Sequence, residues 1–169
     1  MKLVEAVKTL EEEQAKLREK ESELFDSCLT QLFKDVPGLK SFELIGYTPG
    51  FNDGDPCSHS HYVLVSIDDY YDHGREEYLY DILSEKYDEE VIEALPRDKY
   101  DCYDYTKLPG IEEMFPSGEI ASSVHKMFDD VFYEEIQRRW YTDFQVTFTR
   151  DDSDPKGYTT VKGYYDCGY

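Results

Sequence analysis

Side chains that could bind a metal or take part in catalysis are concentrated where Cys57, His59 and His61 alternate with serines. A strand places alternate side chains on one face, so a strand here would bring a thiol and two imidazoles together. Thiols and imidazoles are zinc ligands, and His73, later in the sequence, could add another. Cys-x-His-x-His is not, however, the usual spacing of a closed zinc site. The alternative is a strand end with ordinary histidines. No nucleophile–base pair of Cys57 and His59 is expected, because side chains two residues apart on a strand rarely reach hydrogen-bond distance and no third group is evident to orient them.

The loop before this segment carries two carboxylates. The sequence Asn-Asp-Gly suits a turn with positive φ at the glycine and side chains that bond their own backbone. A structural loop is therefore predicted, formed by Asn52, Asp53, Gly54, Asp55, Pro56 and Cys57. The alternative is a divalent-ion or small-molecule site that uses Asp53, Asp55 and the Cys57–His61 groups. Asp-x-Asp-Gly matches part of a calcium loop, but the distal glutamate of that pattern does not follow. No cofactor is predicted.

The net charge restricts function most strongly. The 169 residues include 38 acidic and 18 basic side chains, which gives −20. Such a chain repels nucleic acid and anionic membranes and attracts basic protein surfaces, and a direct nucleic-acid binder would need many Lys and Arg. The sequence contains no run of 18 apolar residues, so no membrane span is predicted. The N-terminus becomes charged too early for a signal peptide. A cytoplasmic location and four reduced cysteines are expected.

Half of the net charge lies in residues 68–105, which contain 14 acidic and four basic residues. Nine tyrosines fall within residues 62–105. Tyrosine is enriched in protein interfaces, and carboxylates pair well with arginines. This segment predicts a surface for a basic partner, and the alternative is a solvated acidic face. The predicted contact residues are Asp68, Asp69, Tyr70, Tyr71, Asp72, Glu76, Glu77, Asp101, Tyr103 and Asp104.

Residues 1–36 are predicted to form one long helix that ends at Pro37-Gly38. Leucines recur every seven residues at Leu3, Leu10, Leu17 and Leu24, and the apolar face widens after Leu24. A solvated first half and a docked second half are therefore expected. The leucines also leave open a coiled-coil homodimer through residues 1–30, although Gln14 and Glu21 interrupt the neighbouring seam.

The remaining pattern predicts an α+β fold. Strands are expected at 39–47, 61–67, 143–150 and 158–166, and helices at 75–95 and 119–140. The order α-β-β-α-α-β-β indicates an antiparallel sheet of about four strands, in two hairpins, with helices packed on one face. We expect a single domain, in which the long helix joins an α+β region at 37–169 with an acidic insert at 68–105. His125 is expected to be solvated and Trp140 to anchor the core.

The sequence Tyr47-Thr-Pro-Gly-Phe-Asn-Asp-Gly-Asp-Pro-Cys57 resembles YTPxFNDGxPC, the signature of a family of uncharacterised proteins from tailed bacteriophages and some bacteria. In that family the signature lies in a loop before a strand, and a strand pair with a charged turn comes near the C-terminus. The resemblance implies a phage or prophage origin. It implies no activity.

These features favour a non-enzymatic interaction protein. It would bind a basic surface of a host protein, such as a nucleic-acid-binding defence enzyme, and inhibit it by imitating phosphate charge. Two alternatives remain open. One is a metal-dependent or small-molecule-binding domain or enzyme built on the 52–61 region, and the other is a dimeric phage structural or assembly component.

Overall fold

Helices and one antiparallel sheet make up the computed structural model, which describes residues 2–50, 56–72 and 76–165, with the backbone alone at 71, 72 and 76–78. The predicted α+β class, long first helix and four strands are confirmed. The strands are β1 (Ser41–Tyr47), β2 (Ser60–Leu64), β3 (Phe144–Arg150) and β4 (Tyr158–Tyr164). The helices are α1 (Leu3–Asp35), α2 (Ile67–Asp72), α3 (Glu76–Ser84), α4 (Glu89–Glu93), α5 (Gly118–Lys126) and α6 (Tyr133–Trp140).

The strands follow the order β2-β1-β3-β4, and every neighbouring pair is antiparallel. Strand β1 is central and pairs with β3, about a hundred residues further along the chain. Leu44 lies opposite both Val63 and Val146, so these three side chains share one face of the sheet. We call this the inner face and the opposite one the outer face.

The inner face packs against α1, α5 and α6 through an aromatic core. Phe25 of α1 makes edge-to-face contacts with Phe128 and Phe132, with ring centroids 5.8 and 5.2 Å apart. Phe42 and Phe148 stack on neighbouring strands at 4.8 Å. Trp140 is buried in this core, as its sequence context predicts. Aromatic rings thus supply the buried area that the low aliphatic content would not.

A second core covers the outer face over β1 and β2, so the expectation of helices on one face only is wrong. Ile45 and Leu64 point into it. Residues 67–115, which we call the outer layer, supply the cover, and the predicted helix at 75–95 is divided between α3 and α4. The loop-like residues beyond it contain two short 3₁₀ turns, Tyr105–Lys107 and Ile111–Glu113. The buried residues of the layer are Tyr70, Leu79, Leu83, Ile92, Tyr105, Leu108, Ile111, Met114 and Phe115.

The predicted helix at 119–140 is interrupted by a π-helical turn, Met127–Val131. The Phe132 amide donates to the Met127 carbonyl at 3.0 Å, which adds one residue to the turn. The inserted residue rotates the face of the helix. Val131 is therefore exposed, although the helical spacing places it on the buried side.

Two arginines fix the second half of α1. Arg150 donates to the carbonyls of Phe33, Val36 and Leu39 at 2.5–3.0 Å and so caps the helix end. Arg139 of α6 donates to Asp26 at 2.7 Å and to Glu135 at 2.5 Å. Burial raises the pKa of Glu135, but hydrogen bonds from Arg139 and Arg138 outweigh this and hold the pKa below its usual value.

Gly46 leaves the space that the ring of Phe144 occupies on the inner face, and a Cβ at Gly46 would overlap that ring. We expect Gly46→Ala to lower the free energy of unfolding by about 1–3 kcal/mol, the usual cost of overpacking. Gly163→Ala in β4 is the control, because its Cβ would meet only ordinary contacts. Urea unfolding of both variants measures the difference, and equal midpoints would contradict this packing.

Candidate functional site

The predicted carboxylates divide into an exposed set and an internally bonded set. Asp68 is exposed. Asp69 instead accepts hydrogen bonds from the amide and hydroxyl of Ser66 at 2.9 and 2.6 Å. It also accepts from the Val65 amide at 3.4 Å, and His125 Nε2 lies 3.2 Å from Asp69 Oδ2. Asp69 therefore stabilises the start of α2, and His125 is paired rather than solvated as predicted.

The tyrosines of the acidic segment build the outer layer more than they face solvent. Tyr70 is 1% exposed, so its predicted role in a partner surface is wrong in this conformation. The Arg97 guanidinium lies 4.0 Å from the centre of the Tyr103 ring and donates to its hydroxyl. Asp101 is exposed and pairs with Arg97, and Asp104 accepts from Thr106. These contacts tie the predicted residues to one another.

Part of the predicted site lies outside the described residues. The residues concerned are Asn52, Asp53, Gly54, Asp55 and His73. For Tyr71, Asp72, Glu76 and Glu77 only the backbone is described, at the end of α2 and the start of α3. Pro56 and Cys57 are exposed.

The outer layer displays many carboxylates to solvent. Its described cations are held by local contacts: Lys86 and Lys99 lie over tyrosine rings, Arg97 pairs with Asp101, and Lys107 lies 3.9 Å from Asp104. Negative charge therefore dominates this face. Among the side chains that the structure describes, the exposed acidic residues of this layer are Asp68, Asp81, Glu85, Asp88, Glu89, Glu90, Glu93, Asp98, Asp101, Glu112 and Glu113.

His59 and His61 form a hydrogen-bonded pair beneath the π-helical turn. His61 Nε2 lies 2.7 Å from the Phe128 carbonyl, which can only accept, so Nε2 carries the proton. With the proton on Nε2, the Nδ1 of His61 accepts from His59 Nε2, 3.2 Å away. The remaining lone pair, on His59 Nδ1, is buried and has no hydrogen-bond partner among the described residues.

Neighbouring side chains lock this pair in place. The Tyr133 hydroxyl donates to the His59 carbonyl at 2.9 Å, and its ring lies 4.7 Å from that of His61. Burial lowers the pKa of His59 and nearby His61 lowers it further, while Asp143 opposes the shift. His59 is therefore a neutral imidazole at pH 7 that could accept a proton. The sequence does not indicate that Tyr133 and Phe128 contact this pair, because both residues lie far from the two histidines along the chain.

His59 also contributes to an open cleft of about 540 Å³. Tyr141, on its rim, has φ 70° and ψ −96°, and Asp143 has φ 53°, conformations that cost a non-glycine residue energy. The lining residues are Thr48, His59, Glu134, Gln137, Arg138, Tyr141 and Thr142.

The thiol–imidazole arrangement predicted as an alternative zinc site is not assembled among the described residues. Within them, no three His, Cys, Asp or Glu side chains are placed to hold one metal ion. Cys28, Cys57 and Cys102 are free thiols. Cys167 lies outside the described part of the chain.

Comparison of the chain with protein-family models, curated proteins and solved structures finds no match in any of the three. The phage-family resemblance thus stays a prediction. Across residues 2–50, 56–72 and 76–165, no helix is both long and apolar enough to cross a membrane.

The lowered pKa of His59 predicts a loss of stability in acid. Below pH 6.5 the unfolded chain takes up a proton at His59 more readily than the folded chain, so the free energy of unfolding falls as pH decreases. His59→Gln keeps a donor for His61 but cannot titrate. Urea unfolding at pH 7.5 and 5.5 should show a smaller loss for the variant than for the wild type. Equal losses would show that His59 is not the responsible group.

Proposed function

We propose that this protein is a non-enzymatic acidic binding protein, and that its outer layer binds a basic surface of another protein. The observation that carries the proposal is the set of eleven exposed carboxylates among the described side chains of a layer with its own apolar core. The core holds the backbone of these residues in place before binding. Less conformational entropy is therefore lost when the carboxylates meet a partner.

Charge determines the class of partner. Carboxylates form paired hydrogen bonds with arginine, and a field from a net charge of −20 speeds the approach of a cationic surface. Proteins that handle nucleic acid carry such surfaces, shaped to bind phosphates. We take the partner to be an enzyme of this kind in the cytoplasm of a bacterial host. The acidic layer would inhibit it by imitating phosphate, which agrees with the resemblance to phage proteins and suits a role in counter-defence.

We also propose that two copies associate through residues 1–30. The supporting observation is the exposure of leucines on the first half of α1: Leu3 is 79% exposed, Leu10 59% and Leu17 66%. Exposed leucines at heptad spacing are typical of helices that pair.

Neutralising one part of the outer layer should weaken partner capture. Asp88, Glu90 and Glu93 are exposed on and beside α4, and none has an ion pair among the described contacts. Asp88→Asn/Glu90→Gln/Glu93→Gln should retain less of a basic protein from bacterial lysate at low salt than the wild type retains. High salt should weaken capture by both, because mobile ions screen exposed charges. Mass spectrometry identifies the captured protein, and double-stranded DNA should compete for it.

The matched control is Glu5→Gln/Glu12→Gln/Glu19→Gln, which removes the same number of charges from the exposed half of α1. This variant should capture the partner as the wild type does. If both triple variants lose capture equally, net charge rather than the outer layer is responsible. Capture that resists high salt and DNA would refute the proposal.

A further inference from the structure

The first part of α1, residues 2–20, which we call the arm, has no hydrogen bond or ion pair to the rest of the described chain. Its side chains are exposed apart from Ala6, which is half-buried. Its hydrogen bonds and ion pairs remain inside the arm, as between Lys16 and Glu13. The first anchoring contact is the ion pair of Glu21 with Arg138. A lone helix of this length is marginal in water, so the arm needs a partner for its apolar side.

The apolar side of the arm has the pattern of a coiled-coil seam. With the letters a to g for the heptad, Leu3, Leu10 and Leu17 occupy d, Val7 occupies a, and Gln14 the following a. Leucine at d and a β-branched residue at a favour two parallel strands. A single polar residue at a specifies register at some cost in stability.

The arm is also the part of the chain where two copies can approach without repulsion. Residues 2–20 contain five basic and five acidic side chains, so the whole net charge of −20 belongs to residues 21–169. Two acidic bodies repel each other, and two arms do not.

We infer that two copies join through their arms as a parallel, in-register, two-stranded coiled coil, an arrangement that rests on the proposed self-association. In this register Gln14 faces Gln14 of the second copy, and the two amides can bond each other. Glu13 at g lies beside Arg18 at e of the second copy, which forms an attractive pair on each side of the seam.

The antiparallel arrangement is less favourable for two reasons. It packs a positions against d positions, which buries the Gln14 amide against leucine without a partner. Full antiparallel overlap also brings Glu11 and Glu13 against the same residues of the other copy, and like charges repel.

Light scattering at several protein concentrations tests the dimer. The wild type should approach twice the chain mass of 19.9 kDa, and Leu10→Gln/Leu17→Gln, which leaves net charge unchanged, should remain at 19.9 kDa. Since these leucines lie outside both cores, the near-ultraviolet circular dichroism of the body should not change. A monomeric wild type, or a double variant that still dimerises, overturns the inference.

Cross-linking tests the direction. Val7→Cys at an a position should form a covalent dimer under mild oxidation, because the two thiols face each other near the arm tips. Lys8→Cys points away from the seam and should give no more cross-linking than the wild type, whose own cysteines set the background. An antiparallel pair holds the two Val7 positions apart, so a dimer that fails to cross-link at Val7→Cys overturns the parallel register.

Salt separates this inference from the proposed partner binding. Added salt screens repulsion between the acidic bodies, so self-association should strengthen while capture of a basic partner weakens. The monomeric Leu10→Gln/Leu17→Gln variant keeps the outer layer, so its capture of the basic protein reports on the proposed function alone. Self-association that weakens with salt would contradict the parallel arrangement, in which the bodies lie side by side.

Discussion

Strand β1 is buried on both faces, and the arrangement of the rest of the molecule follows from this. Phe42 and Leu44 require cover on the inner face, and Ile45 requires it on the outer face. The inner cover comes from α1, α5 and α6. The outer cover comes from the most acidic segment of the chain, so that segment must fold against the sheet. Its carboxylates are consequently displayed on an ordered surface instead of a loose loop.

The elements could be predicted from the sequence where local pattern decides structure. The alternation of Phe144, Val146 and Phe148 determines β3, and Pro37 explains why α1 stops where it does. The second core could not be predicted, because Tyr70 and Tyr105 in an acidic context look like interface residues. Their burial depends on contacts with strands that the local sequence does not reveal.

The candidate site shows the same limit. Alternation predicts that His59 and His61 share a face, and the structure places both imidazoles side by side. The Phe128 carbonyl in the π-helical turn determines that Nε2 of His61 carries the proton, and this sets the donor and acceptor roles within the pair. An added residue in a helical turn leaves no trace in an apolar pattern that continues through it. The strained backbone at Tyr141 arises where α6 must turn into β3, which is likewise a tertiary requirement.

The cap that Arg150 makes on α1 also affects when the N-terminal part of the chain can complete its folding during synthesis. Carbonyls at the end of the first helix accept hydrogen bonds from the Arg150 side chain of β3, and Asp26 pairs with Arg139 and Lys156. During synthesis, α1 and β1 leave the ribosome long before these residues exist. Phe25 of the N-terminal helix therefore lacks its ring partners Phe128, Phe132 and Trp140 until the last quarter of the chain is made. Proteins with such distant pairings fold slowly and present apolar surface to chaperones in the interval.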